Sequence, residues 1–192
     1  MNTRYRHSWI FGSLLALVGA AGLAFASTAP AAEPGAWQPH KYTFNFIGIT
    51  PKYSCEGLQD NLTYLLTKAG VRLDGPVIAE SCYRGGGVPD TLVSARLKFS
   101  SLKPVADENS NDAAATVPGT WRNVLIQPQT SDFVLHGADC ELVEEFKDAI
   151  LPMLAVRNVK STLHCIPYQS TGNQFSLSFQ VFVPAGADHP AD

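Results

Sequence analysis

Apolar residues recur twice in this chain at steps of three and four, and the two occurrences share one plan. In the second, Leu142, Val143, Phe146, Ala149, Ile150 and Met153 form a stripe, while Glu141, Glu144, Glu145, Lys147 and Asp148 fall between them. This is the 3.6-residue pattern of a helix buried on one side. When Cys55 is set against Cys140, Leu58 matches Val143, Tyr64 matches Ala149, Leu65 matches Ile150, Leu66 matches Leu151 and Ala69 matches Leu154. Each copy predicts a helix opening at a cysteine followed by glutamate, then a turn, then an extended run closing on Cys82 or Cys165.

The residues at the ends fit this plan. Ser54 and Asp139 precede the opening cysteines, where a side-chain oxygen can accept from the free amides of the first turn. Glu56 and Glu141 place negative charge at the positive end of the helix dipole. Gly70 suits the left-handed residue that closes many helices, whereas Pro152 predicts that the second helix ends or kinks near Leu151. Extended runs follow at Val77 to Ala79 and at Val159 to Leu163.

A helix of about 14 residues rises roughly 21 Å, and a returning strand of six or seven residues spans about 20 to 23 Å. Each closing cysteine is thereby returned to its opening partner. Among the three connectivities that four cysteines allow, this geometry favours Cys55 with Cys82 and Cys140 with Cys165. Each bridge should contribute about 3 kcal/mol through chain entropy. Four reduced, buried cysteines are the competing reading.

Two-residue alternation marks the strands. Tyr42, Phe44 and Phe46 alternate with Thr43 and Asn45; Val93, Ala95, Leu97 and Phe99 alternate with Ser94, Arg96, Lys98 and Ser100. The clearest case is Phe175, Leu177, Phe179, Val181 and Val183 against Ser176, Ser178 and Gln180. Ile47 and Ile49 interrupt the first alternation and predict cover on both faces there. Trp121 to Ile126 and Phe133 to His136 read as further extended runs. Residues 103–118 carry almost no large apolar side chains, which predicts a long mobile loop between two halves.

These elements specify an α+β two-layer sandwich with internally duplicated strand-helix-strand-strand units and an additional strand before the second helix. The expected sheet is mixed, with both helices on one face and two disulfides. The halves 41–102 and 119–184 should form one pseudo-duplicated domain over 41–184. Two small tandem domains are the alternative, although each would have a marginal core of about 60 residues.

Composition adds a location. Arg4, Arg6 and His7 precede an apolar run from Trp9 to Ala26, and Ala24-Phe25-Ala26 offers the cleavage pattern of a signal peptide over 1–26. Ala29-Pro30-Ala31 is a second, weaker site, and an uncleaved anchor is the competing reading. Residues 27–40 read as a flexible leader and 185–192 as a disordered tail. The 14 basic residues are outnumbered by 17 acidic ones, and no basic run points to nucleic acid or anionic lipid. The expected setting is periplasmic or secreted, with no cofactor and no stable membrane insertion after cleavage.

Candidate chemistry is sparse. No G-x-S-x-G, H-E-x-x-H, G-x-x-x-x-G-K or C-x-x-C spacing occurs, so no catalytic residue is assigned. His136, Asp139 and His164 form a candidate metal set near the second bridge. Against it, His164 and Cys165 point to opposite faces of one strand, and Asp139 is better employed as a helix cap. Arg84 with Gly85, Gly86 and Gly87 is a candidate anion nest, though such glycines more often simply turn the chain. Phe44, Phe46, Phe99, Phe175 and Phe179 belong to the core. Trp37 and Trp121, with the aromatic strand residues, are a candidate ligand or partner surface, weighed against the core placement that aromatics at strand period favour, and Trp37, in the leader, is the one expected to be exposed.

The run Cys140-Glu141-Leu142-Val143-Glu144-Glu145-Phe146, continuing through Ala155-Val156-Arg157-Asn158-Val159 to His164-Cys165-Ile166-Pro167, resembles uncharacterised exported proteins of Gram-negative bacteria with a cysteine-anchored helix. The resemblance covers mainly the two doubled units. It implies a bacterial envelope setting and no activity. The leading functional expectation is a non-catalytic module that binds a protein or envelope component through its sheet or an exposed strand edge. The alternative is a small-ligand, anion or metal binder, and an enzyme of unfamiliar type comes third.

Overall fold

Both sets of alternating residues enter one seven-stranded sheet, in a computed structural model that describes residues 32–49, 53–82, 92–105, 116–128, 135–169 and 173–187. The first half supplies β1 (Glu33–Ile47), α1 (Cys55–Lys68), β2 (Arg72–Leu73), β3 (Ile78–Glu80) and β4 (Leu92–Pro104). The second supplies β5 (Val117–Ile126), α2 (Cys140–Ala149), β6 (Val156–His164) and β7 (Gln174–Pro184). The strand order is β2-β4-β1-β5-β7-β6, with β3 also paired to β4. Read from the centre outward, each half therefore presents its first strand, its last strand and then its helix-following strand.

Strands β1 and β2, joined through α1, run in the same direction, but β4 lies between them and pairs antiparallel with both. Strand β7 separates β5 from β6 in the same way. Each hydrogen-bonded pair among the described strands is consequently antiparallel. The halves meet where Glu33, Pro34 and Gly35 pair antiparallel with Gly119, Pro118 and Val117.

Both helices pack on one face of this sheet. Ser54 Oγ accepts from the Gly57 amide at 3.1 Å, so the expected cap on α1 is present. Gly70 closes α1 at φ +75°, while the Val71 amide donates back to Leu66 O at 3.3 Å. Helix α2 stops at Ala149, and Pro152 sits in a 3₁₀ turn over Leu151–Met153. Leu58, Leu62, Leu65, Val143, Phe146 and Ile150 bury against Phe44, Phe46, Phe99, Phe175 and Phe179, each such side chain contributing about 1.5–3 kcal/mol. The bridges are Cys55–Cys82 and Cys140–Cys165, both with Cα atoms 5.4 Å apart. They fasten the start of each helix to the chain leaving β3 or β6.

Polar contacts cross between the halves. Arg122 of β5 donates from Nη2 to Lys68 O at 3.3 Å, and burial lowers the pKa of its guanidinium. Conversely, Ser101 of β4 donates from Oγ to Met153 O at 3.3 Å, and His40 Nε2 lies 2.9 Å from the same hydroxyl. Each half therefore holds the terminal carbonyls of the other half's helical segment. A single core cluster also contains residues of both halves.

Several expectations require correction. Residues 33–40 belong to β1 rather than to a flexible leader, and β4 and β5 run into both ends of the supposed 103–118 loop. Leu135 and His136 are not strand but lead into a 3₁₀ turn over Gly137–Asp139; Phe133 and Val134 lie outside the described residues. Ile47 and Ile49 are exposed rather than covered. The segment 1–26, the centre of the long loop, Arg84 to Gly87 and residues 188–192 also lie outside the described residues.

Candidate functional site

The proposed metal ligands do not converge. His136 and His164 are exposed, and among the described residues no three His, Cys, Asp or Glu side chains could hold a metal ion. Asp139 is instead buried and occupied. Its Oδ2 accepts from the His136 amide at 2.6 Å, and its Oδ1 accepts from the Tyr53 hydroxyl and, at 3.3 Å, from Asn61 Nδ2. It makes no side-chain cap on α2, because that carboxylate faces back toward α1. Burial, and then the Asp139 charge, push the Tyr53 pKa far up. The cluster is enclosed and satisfied, which suits a joint between helices better than chemistry on a substrate.

The face of the sheet away from the helices carries a second duplicated feature. Trp37 of β1 lies opposite Leu102, and Trp121 of β5 lies opposite Phe182. The Arg72 guanidinium stands 4.5 Å from the Trp37 ring centre, and that of Arg157 stands 4.1 Å from Trp121. Trp37 is therefore half-buried under an arginine rather than free in a leader. Gly35 and Gly119 sit between these stacks, where an added Cβ would fall 2.7 and 2.3 Å from the Phe182 ring. Leu102 and Phe182 are buried yet stand apart from the helix-side core cluster.

This second repeat has a signal in the sequence that helix periodicity does not reveal. Pro34-Gly35-Ala36-Trp37 repeats as Pro118-Gly119-Thr120-Trp121, and Val71-Arg72 repeats as Val156-Arg157. The two short motifs lie far apart in the chain, and only strand pairing brings each arginine over its tryptophan. Beside Trp121 an open recess of about 320 Å³ is lined by Asn123, Pro184 and Gly186 among others. Among the described residues its lining includes no acid and no histidine.

Strand β6 is the most exposed of the longer strands of the sheet. Seven of its nine residues are exposed, with Val156 and Leu163 only partly covered. Among the described residues its sole strand partner is β7. The pairing shifts register between Arg157 and Lys160, and Asn158 there has φ +56°. A bulge and an edge lysine are devices that discourage two identical edges from pairing. The opposite edge differs, being divided between β2 and β3.

No protein-family model matches the chain, no curated protein matches it, and no solved structure matches its fold.

Proposed function

We propose that this is an exported, non-catalytic binding module that recruits an extended segment of a protein partner along β6. The observation that carries this reading is the long edge strand, exposed at seven of nine positions and paired on one side only among the described residues. Unpaired amides and carbonyls on such an edge accept an added strand, and the alternating side chains supply selectivity. The bulge and Lys160 disfavour a second copy and favour a partner strand of different sequence.

Export is supported by the basic and apolar pattern at 1–26 together with two disulfides, which belong to oxidising compartments. Among the described residues no helix is long and apolar enough to cross a membrane.

The test is site-specific photocrosslinking in intact envelopes, with the reactive group at Thr162 on β6 or at Glu144 on α2. A discrete adduct at Thr162, absent at Glu144, is the expected result. Equal labelling at both positions, or no adduct at Thr162, contradicts the reading.

A further inference from the structure

We propose that the helix-free face of the sheet docks onto an anionic lipid bilayer. The chain is acidic overall, but its folding sorts charge by face. Strand register places Lys41, Arg72, Arg96, Lys98, Arg157 and Lys160 on the helix-free side. Among the described residues the acids sharing that face are fewer, Glu33, Asp74 and Glu80, and the last two pair with Arg72 at 3.2 Å and Arg96 at 2.7 Å, which leaves Lys41, Lys98, Arg157 and Lys160 as the cations without an acidic partner. On the other layer α1 and α2 carry Glu56, Asp60, Glu141, Glu144, Glu145 and Asp148 against Lys68 and Lys147.

Lys41 lies directly opposite Lys98 in the β1–β4 pairing, and neither has an acidic partner among the described residues. Like charges in that position repel, so an anion above them is welcome. The same face exposes aliphatic side chains: Ile47 and its cross-strand partner Leu92, Ile78 and Leu125. Salt-sensitive cations beside exposed aliphatics suit a headgroup layer over shallow acyl chains.

The extent of the charge favours a surface over a single acidic peptide. The cations without an acidic partner reach from Lys98 on β4 to Lys160 on β6, about 19 Å across at the usual strand spacing. A strand added along β6 would meet only Arg157 and Lys160. The acidic helix layer is repelled by the same bilayer and orients the sheet toward it.

The experiment is flotation of the oxidised protein with vesicles of phosphatidylglycerol and phosphatidylethanolamine, compared with phosphatidylcholine vesicles. Binding should favour the anionic vesicles by about tenfold and fall about tenfold as salt rises from about 0.05 M to about 0.5 M. Lys41→Glu with Lys98→Glu should abolish it; if that pair does not fold, Lys41→Gln with Lys98→Gln carries the comparison. Both positions lie away from β6, so crosslinking at Thr162 should persist in these variants. Equal binding to both vesicle types, or an unchanged lysine variant, overturns the proposal. Release by inorganic phosphate alone, or tighter binding to soluble polyglutamate, overturns it in favour of a free-anion or acidic-protein site.

Discussion

Pro34 lies directly opposite Pro118 in the β1–β5 pairing, and each is followed by glycine, a small residue and tryptophan. Glu33 meets Gly119 and Gly35 meets Val117 on either side of them. The pseudo-two-fold relation between the halves passes through this pair of prolines. Neither proline has an amide to donate, so the central pairing is short while β1–β4 and β5–β7 are long. The halves are held together largely by side chains above and below that junction.

Gly119 should tolerate no side chain. A Cβ there would lie 2.3 Å from Phe182 Cζ and 3.0 Å from Leu102 Cδ2. Gly119→Ala should cost about 1–3 kcal/mol through overpacking, read as a lower urea midpoint. Adding Phe182→Leu should recover part of that loss.

Removing the second bridge with Cys140→Ala and Cys165→Ala should cost about 3 kcal/mol, since it closes a sequence separation of 25 residues. Non-reducing denaturation of this variant beside the parent checks the value. An unchanged midpoint would show that α2 and β6 are held together without the bridge.

Tyr53 should make the fold alkali-sensitive. Burial and the neighbouring Asp139 raise its folded pKa, so its contribution is full below the ordinary tyrosine range near 10 and is lost as pH rises above it. Denaturation series above about pH 10 should lose up to about 1.4 kcal/mol per pH unit from this one proton. Tyr53→Phe should remove that component of the slope while costing about 1–3 kcal/mol at neutral pH, by depriving buried Asp139 of a donor.

The cysteine-framed helices, their bridges and the aromatic strands were legible because each rests on a local period or a fixed length. The start of β1 was not. Pro34, Gly35 and Pro39 break the alternation that marks a strand, yet Gly35 is required there because Phe182 and Leu102 occupy the space above it. Asp139 read as a cap on α2 because position alone suggested it, whereas its carboxylate takes the His136 amide before the 3₁₀ turn and, remote in sequence, Tyr53 and Asn61. The basic face was hidden for a similar reason. Its cations are distributed over β1, β2, β4 and β6 with no run, and only the register collects them.

Lys160 should guard the edge of β6. Replacing it with isoleucine removes the charge at the end of the bulge and should promote self-association. Light scattering during size exclusion should then show dimers or larger species at concentrations where the parent is monomeric. Lys98→Ile, within the sheet, should not produce them.

The binding role of β6 requires an open edge, and hydrogen exchange of its amides tests this most directly. In the isolated, oxidised protein, amides of Lys160 to His164 that face away from β7 should exchange far faster than those of β4 and β7. Addition of the crosslinked partner should slow them selectively. Protection along the whole of β6 equal to that of β7 in the isolated protein would contradict an open edge and the binding role assigned to it.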